Sequence, residues 1–166
     1  MDIEDLLAAA ARDVRPLADQ KGVSLEVEVP TDLPSLSLDA GLFDRVIGNL
    51  LGNAVKFTEQ GGVRVRALYD GASLHVEVYD TGIGIAPEHL SHLFDEFQQV
   101  SEGDGRTHEG NGLGLALARR VAALLGGQIA VESTVGEGSR FRVSVPAPRS
   151  AETRFARTAP SAYASH

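Results

Sequence analysis

Apolar positions along the chain recur with two different periods, and each period predicts one kind of element. Apolar residues spaced three to four apart predict amphipathic helices, whereas alternation of apolar and polar residues predicts half-buried strands. The helical spacing occurs at residues 3–21, 40–57, 87–93 and 112–125, and the alternation occurs at residues 23–29, 62–70, 72–80, 128–134 and 139–146. The predicted order is therefore helix, strand, helix, hairpin, short helix, long loop, helix and hairpin.

This element order favours one fold class. Strands joined by a short turn, such as the one at Gly71, pair as antiparallel neighbours, and helices with a single apolar side must cover a common surface. We therefore expect an α/β (α+β) two-layer sandwich, in which three main helices cover one face of a mixed, mainly antiparallel sheet. Asp2 and Asp39 are the predicted N-caps of the first two helices, and Gly22 is the predicted end of the first.

Length, composition and charge exclude several classes of protein. The 166 residues are 43% hydrophobic, which suits one well-buried domain. We place this domain at residues 1–146 and expect residues 147–166, rich in Ala, Ser, Arg and Pro, to form a disordered tail or linker. The formal net charge of -8 disfavours nucleic acid as a main partner, and the absence of cysteine excludes disulfides and thiolate metal sites.

The same features bear on location. The chain has no apolar run of roughly 18 residues, and its acidic start differs from a basic secretory leader. We therefore expect a cytoplasmic segment without direct membrane contact, whereas a longer parent protein is free to carry a membrane anchor.

The second predicted helix has polar residues at the edge of its apolar side. In "NLLGNAVKFT", residues 49–58, Asn49 and Asn53 lie about 40 degrees apart around a helix, and Lys56 lies within about 20 degrees of Asn49. Amide oxygens beside a lysine suit a magnesium-phosphate group, because Mg²⁺ binds hard oxygen ligands and shares phosphate oxygens. Solvated polar residues on a helix surface are the alternative, and this stretch alone does not decide between the two.

Two glycine-rich stretches have the composition of nucleotide-binding turns. In "DTGIGIAP", residues 80–87, glycines permit a close approach to a flat ligand, and Asp80 is suited to accept a hydrogen bond from the exocyclic amine of adenine. In "GNGLGLAL", residues 110–117, glycines open a helix whose free N–H groups favour phosphate. A plain turn and a flexible loop end are the respective alternatives.

Residues 98–111 are predicted to form a long polar loop, of a kind that is usually functional.

Taken together, these stretches resemble the ATP-binding catalytic domain of bacterial sensor histidine kinases, in the Bergerat or GHKL superfamily. "NLLGNAVKFT" is similar to the N box of that family, "DTGIGIAP" to its G1 box, "LFDEFQ" to its F box and "GNGLGLAL" to its G2 box. The resemblance extends over residues 3–146 and implies the Bergerat ATP-binding fold, with ATP and Mg²⁺ as ligands. Asn111 stands where the family usually has threonine, so a hydroxyl contact at that point is not implied.

The resemblance also implies roles for individual residues. Asn53 would ligate Mg²⁺, and Asp80 would accept the adenine amine. The implied catalytic residues near the phosphates are Asn49, Lys56 and Arg106, the last of them in a lid over the site. The full implied ATP-binding set is Asn49, Asn53, Lys56, Phe57, Asp80, Gly82, Gly84, Ile85, Phe94, Phe97, Gly110, Gly112, Leu113, Gly114 and Ser139.

Partners follow from the same resemblance. A kinase of this family donates the γ-phosphate of ATP to a histidine on a separate dimerisation domain and works with a response regulator. The acceptor motif is a histidine followed by Glu or Asp and then by Thr-Pro or Asn-Pro, and it does not occur in the 166 residues. We therefore expect the acceptor histidine on a domain outside this chain.

Two other functions use a similar fold. ATP-hydrolysing clamps of the gyrase, Hsp90 or MutL type resemble the second helix but have a glutamate, the base that activates water, four residues before the metal-binding asparagine. The corresponding residue here is Asn49, and an amide does not take up a proton at neutral pH, so clamp-type hydrolysis is disfavoured. A nucleotide-sensing or anti-sigma-type binding module is the second alternative, which the sequence does not exclude.

Overall fold

A computed structural model describes residues 2–90 and 111–149 of the chain. The described residues form four helices and five strands. In chain order these are α1 (Ile3–Lys21), β1 (Ser24–Glu28), α2 (Ala40–Phe57), β2 (Gly62–Tyr69), β3 (Ser73–Asp80), α3 (Pro87–Leu90), α4 (Asn111–Leu124), β4 (Gln128–Thr134) and β5 (Gly138–Pro146). The last three residues of the helix predicted at 87–93 lie outside the described residues.

The five strands form one mixed sheet in the order β1-β2-β3-β5-β4. β1 pairs with β2 in parallel, and every other pair is antiparallel. Alternate residues of the three central strands are buried on one face, among them Val65, Val76 and Val143. The predicted fold class is therefore confirmed, and the parallel pair arises because α2 carries the chain from β1 to β2.

α2 is the central helix of the layer that covers this face. It packs between α1 and α4 and also contacts β2 and β3. Its buried side includes Phe43, Ile47 and Leu50, which belong to the core together with Leu7 of α1 and Val121 of α4. The central position of α2 explains why its apolar stripe is wide, since α1, α4 and the sheet all pack against it.

The predicted helix caps of α1 and α2 are present. The Asp2 carboxylate accepts from the Asp5 N–H at 3.2 Å, and the Asp39 carboxylate accepts from the Leu42 N–H at 3.0 Å. Gly22 ends α1 in the left-handed region, with φ of 73°. These caps satisfy N–H groups that a helix cannot pair internally, and they fix where α1 and α2 begin.

Charged side chains form a network of ion pairs on the other face of the sheet. The Glu77 side chain in the centre of this face is only 3% exposed, and Arg66, Arg140 and Arg142 approach its carboxylate at 3.6, 3.6 and 3.7 Å. The Tyr79 hydroxyl donates to the same carboxylate at 2.6 Å. Because each oxygen has cationic or hydroxyl partners, the buried charge of Glu77 is compensated.

The predicted start of the tail, at residue 147, lies too early in the chain. Ala147 is fully buried, its N–H donates to the Ala72 carbonyl at 2.9 Å, and its own carbonyl accepts from the Tyr69 hydroxyl at 2.7 Å. Arg149 forms an isolated β-bridge with Leu36. Residues 147–149 are thus part of the domain, and the assignment of these three to a tail was wrong. The reason is that main-chain hydrogen bonds hold them, and such bonds leave no mark in the side-chain pattern. The remaining residues of the predicted tail lie outside the described ones.

A membrane span is missing from the part of the chain that the structure describes: none of its helices is both long enough and apolar enough to cross a bilayer.

Candidate functional site

A pocket lies where the C-terminal end of α2 meets the loop after β3, the first residues of β5 and α4. It is predominantly apolar, with a few polar side chains. Its lining consists of Asn53, Ala54, Phe57, Asp80, Ile83, Gly84, Ile85, Leu115, Ser139 and Phe141. A mainly apolar pocket with a few polar groups is the usual form of a small-molecule site.

Asp80, the last residue of β3, places a carboxylate in this pocket. The residue is 8% exposed, and its Oδ1 accepts from the Gly82 N–H at 2.9 Å. Burial raises the pKa of the Asp80 carboxyl above its ordinary value, while backbone hydrogen bonds from Gly82 and Ser139 act in the opposite direction. The carboxylate is therefore oriented by the backbone and is suited to accept a further hydrogen bond from a ligand.

Gly82 and Gly84 keep the loop after β3 against its neighbours. A Cβ at Gly82 would overlap the main-chain carbonyl of Phe57, and a Cβ at Gly84 would overlap that of Thr134. Gly84 also has φ of 77°, a conformation that favours glycine. The Ile83 N–H donates to the Phe57 carbonyl at 3.3 Å, so the loop is joined directly to the end of α2. Glycine is needed here for close packing of the backbone as well as for a turn.

Two serines of the β4–β5 hairpin lie on this side of the pocket; Ser139 lines it, and Ser133 lies behind Ser139. Ser139 is the cross-strand neighbour of Asp80, as its predicted role at the base pocket requires. Ser133 was not among the predicted residues. Its hydroxyl accepts from the Ile85 N–H at 2.8 Å, donates to the Gly138 carbonyl at 2.9 Å and lies 2.8 Å from the Ser139 hydroxyl. Ser133 thus links the loop after β3, through Ile85, to the start of β5, through Gly138 and Ser139.

The polar residues of α2 are not equivalent in the structure. Asn53 is 9% exposed and lines the pocket, whereas Asn49 is half-buried, Lys56 is exposed and neither belongs to the pocket lining. The amide oxygen of Asn53 is a hard, neutral ligand. Within residues 2–90 and 111–149, no group of three His, Cys, Asp or Glu side chains is placed to hold a metal ion. This donor set fits Mg²⁺ that keeps its waters and phosphate oxygens better than it fits a transition metal.

The structure brings together one part of the predicted site. Phe57, Gly84 and Ile85 line the same pocket as Asn53, Asp80 and Ser139, and Gly82 is buried beside it. Gly112, Leu113 and Gly114 lie in the first turn of α4, as predicted for a helix start. The predicted residues outside the described part of the chain are Phe94, Phe97, Arg106 and Gly110.

Four lining residues were not among the predicted ones: Ile83 lies in the predicted glycine-rich turn, and the other three have the apolar pattern of core residues. The four are Ala54, Ile83, Leu115 and Phe141. Ala54 lies three residues before Phe57 on α2, so the helical spacing offered a signal for it. Phe141 lies two residues after Ser139, on the same face of β5. Only the pairing of β5 with β3 brings Ser139 and Phe141 to the loop after Asp80.

Known proteins similar to this chain are sensor kinases. A family model described as "Histidine kinase-, DNA gyrase B-, and HSP90-like ATPase" matches residues 38–149. Aerobic respiration control sensor protein ArcB of Escherichia coli (strain K12) is 41% identical over 154 residues, which cover 91% of this chain and 19% of ArcB. Sensor histidine kinase RcsC of the same strain is 39% identical over 132 residues, which cover 79% of this chain and 14% of RcsC. The chain thus spans less than a fifth of the length of these two relatives.

Solved structures agree with the sequence comparison. Full-length ShkA, solved in complex with AMPPNP, superposes with a TM-score of 0.80 at 36% identity, covering 90% of this chain and 31% of that one. The nucleotide-free catalytic domain of histidine kinase ThkA superposes with a TM-score of 0.75 at 20% identity, covering 90% of this chain and 97% of that one. The second likeness shows the fold alone. The sheet and helix layer found here are therefore those of histidine kinase catalytic domains.

Proposed function

Since this chain belongs to the family of histidine kinase-, DNA gyrase B- and HSP90-like ATPases, we propose that it binds Mg-ATP and donates the γ-phosphate to a histidine on a separate dimerisation domain. Its activity would then be that of a protein-histidine kinase, a transferase, in two-component signal transduction. The similarity to the sensor kinases ArcB and RcsC supports this assignment within the family.

The observation that carries the proposal is the buried carboxylate of Asp80 in a mainly apolar pocket. Oriented by the Gly82 N–H at 2.9 Å, the carboxylate would accept the exocyclic amine of adenine, while Ile83, Ile85 and Phe141 would contact the faces and edges of the base. Guanine has a carbonyl at the equivalent edge, and an ionised carboxylate would repel it. The pocket therefore favours ATP over GTP.

Calorimetric titration of the chain with Mg-ATP and with Mg-GTP tests this selectivity. We expect ATP to bind at least tenfold more tightly, since a lost hydrogen bond to a charged group costs about 1.5–3 kcal/mol. Asp80→Asn should reduce the difference between the two nucleotides, because an amide can donate to the guanine carbonyl. Equal affinities for ATP and GTP in the unmodified chain would refute the assignment of the base pocket.

Asn53 would hold the Mg²⁺ through its amide oxygen, and the bound ion would neutralise charge on the phosphates. Lys56, which is exposed on the next turn of α2, would contact phosphate, and Arg106 would contact the γ-phosphate from the lid. The N-terminal turn of α4, with Gly112 and Gly114, would offer free N–H groups to the phosphates. Each of these roles needs a positive charge, a dipole or a hard oxygen, and none needs a strong base.

Transfer rather than hydrolysis is favoured by Asn49. A clamp ATPase would have its water-activating glutamate at this position, and an amide cannot replace it. Imidazole is itself a nucleophile, so positioning and charge stabilisation suffice for transfer to histidine.

Labelling with γ-labelled ATP separates transfer from hydrolysis. We expect the chain alone to release phosphate no faster than an Asp80→Asn control and to acquire no label. When a separately prepared histidine-containing dimerisation domain is added, we expect acid-labile label on that domain. Rapid phosphate release, or rapid labelling of the chain itself, would contradict the proposal.

The proposal extends to location and to a second partner. ATP is a cytoplasmic metabolite, so the domain would act on the cytoplasmic side, whether or not the parent protein is anchored in a membrane. A response regulator would receive the phosphoryl group from the dimerisation domain, and that step would not need the pocket described above.

A further inference from the structure

Lys21, the last residue of α1, reaches across to the end of α2. Its ammonium donates to the carbonyl of Val55 at 2.9 Å and to the carbonyl of Lys56 at 2.7 Å. The side chain is half-buried between the two helices. Because Gly22 ends α1 in the left-handed region directly after it, the position of Lys21 is fixed by the helix cap.

These two bonds complete the C-terminal end of α2. The last four carbonyls of a helix have no partner inside it, and here all four are satisfied from outside the helix. The Thr58 hydroxyl donates to the Ala54 carbonyl at 2.7 Å, and the Ile83 N–H donates to the Phe57 carbonyl at 3.3 Å. The Val55 carbonyl accepts from Lys21 and from the Thr58 N–H at 3.3 Å, and the Lys56 carbonyl accepts from Lys21. A cation at this end also opposes the negative pole of the helix dipole.

The end of α2 is a wall of the pocket. Asn53 and Phe57 line the pocket from the last two turns of the helix, and the Phe57 carbonyl joins the helix to the loop that follows Asp80. A displacement of this end would therefore move the proposed Mg²⁺ ligand relative to the proposed base-binding carboxylate. Lys21 donates to two of these four carbonyls: it shares that of Val55 with the Thr58 N–H, and it also donates to that of Lys56.

We propose that Lys21 is a positioning residue of the nucleotide site: its ammonium fixes the end of α2, and through it the spacing between Asn53 and Asp80. The inference rests on the proposed function, because it concerns the same pocket. Lys21 lies outside residues 38–149, the segment that the family model matches, so the site depends on α1 as well as on the matched domain.

Three variants of the full chain test this role. Lys21→Met keeps the aliphatic stem and removes the ammonium, and Lys21→Arg restores a cation with several N–H donors. Ile3→Val is the matched control, because it loosens the buried packing of α1 at its far end without touching α2's C-terminus. For each variant we would measure Mg-ATP affinity by calorimetry, the melting temperature, and the amide chemical shifts of Gly82 and Ile83.

We expect Lys21→Met to weaken Mg-ATP binding about tenfold, which corresponds to about 1.4 kcal/mol, and to shift the Ile83 amide resonance. Lys21→Arg should bind ATP within about threefold of the unmodified chain, and Ile3→Val should lower the melting temperature with unchanged affinity.

Three outcomes would overturn the role of Lys21: Lys21→Met binding as tightly as the unmodified chain, Lys21→Arg losing as much affinity as Lys21→Met, or Ile3→Val losing affinity in proportion to its stability. An unmodified chain that binds no Mg-ATP would instead refute the proposed function itself. The two failures are therefore distinguishable.

Discussion

Replacing Asp80 with asparagine removes one charge from the pocket and leaves its shape unchanged. In the native chain the Gly82 N–H donates to Oδ1 of Asp80 at 2.9 Å. The oxygen of the asparagine amide can still accept this hydrogen bond. Its NH₂ group then occupies the position of the other carboxylate oxygen, so that a donor faces the Ser139 N–H and would face the amine of a bound adenine. We expect ATP affinity to fall and the fold to persist.

The size of the loss follows from the kind of hydrogen bond. A bond to a charged acceptor contributes about 1.5–3 kcal/mol, which is roughly a 10- to 150-fold change in affinity. For the ligand-free chain, two effects oppose each other. Burial raises the pKa of Asp80 above its unfolded value, so ionised Asp80 disfavours folding above that pKa, and the neutral amide removes this cost. The amide also loses one acceptor. We expect a net change in the free energy of unfolding of less than about 1.5 kcal/mol.

The assay is calorimetric titration with Mg-ATP, paired with chemical denaturation of the ligand-free chain. Asp44→Asn is the matched control, because it makes the same chemical change at an exposed position of α2. The reasoning is refuted if Asp80→Asn binds ATP within twofold of the unmodified chain, or if Asp44→Asn loses as much affinity. A variant that is unfolded at 25 °C would equally contradict the expected balance of the two stability effects.

Other contacts lead to three further predictions. Asn53→Ala should weaken ATP binding about tenfold in Mg²⁺ and far less in EDTA, measured by calorimetry under both conditions; equal losses would exclude a metal role. Glu77→Ala should lower the free energy of unfolding by about 2 kcal/mol, because three partly exposed arginines lose their shared carboxylate. Its ATP affinity at 25 °C should stay within twofold of the unmodified chain. An affinity loss as large as that of Asp80→Asn would argue against a purely structural role of Glu77. Lowering the pH from 7 towards 3.8, the ordinary pKa of an aspartate carboxyl, should weaken ATP binding in the unmodified chain more than in Asp80→Asn, because the raised pKa lets Asp80 take up a proton before that pH is reached. Parallel pH profiles of the two chains would count against this.

Much of the fold was predictable from local signals. The caps at Asp2 and Asp39 and the stop at Gly22 depend on side-chain chemistry within a few residues, and each is present as predicted. Period-two alternation identified every strand, since one face of the sheet is buried. The resemblance drawn from the glycine-rich and asparagine-containing stretches is confirmed at the level of the family by the match to residues 38–149.

What escaped prediction depends on pairing between distant segments. Ser133 supports two residues that line the pocket: β4 and β5 place it opposite Ser139, and its hydroxyl accepts from the N–H of Ile85, 48 residues earlier in the chain. Main-chain groups of Ala147 bond to the Ala72 carbonyl and to the Tyr69 hydroxyl. The alanine side chain takes no part in these bonds, so the sequence pattern does not indicate them. Contacts of this kind are fixed by the sheet register, which a one-dimensional pattern does not contain.

The central claim is that Asp80 binds adenine while Asn53 holds the metal of Mg-ATP, and a crystal structure of the chain with Mg²⁺ and AMPPNP tests it most directly. We predict the exocyclic amine of adenine within hydrogen-bond distance of the Asp80 carboxylate, and Mg²⁺ bound by the Asn53 amide oxygen and the phosphates. A nucleotide bound outside this pocket, or bound in it with its phosphates towards Asp80, would contradict the account.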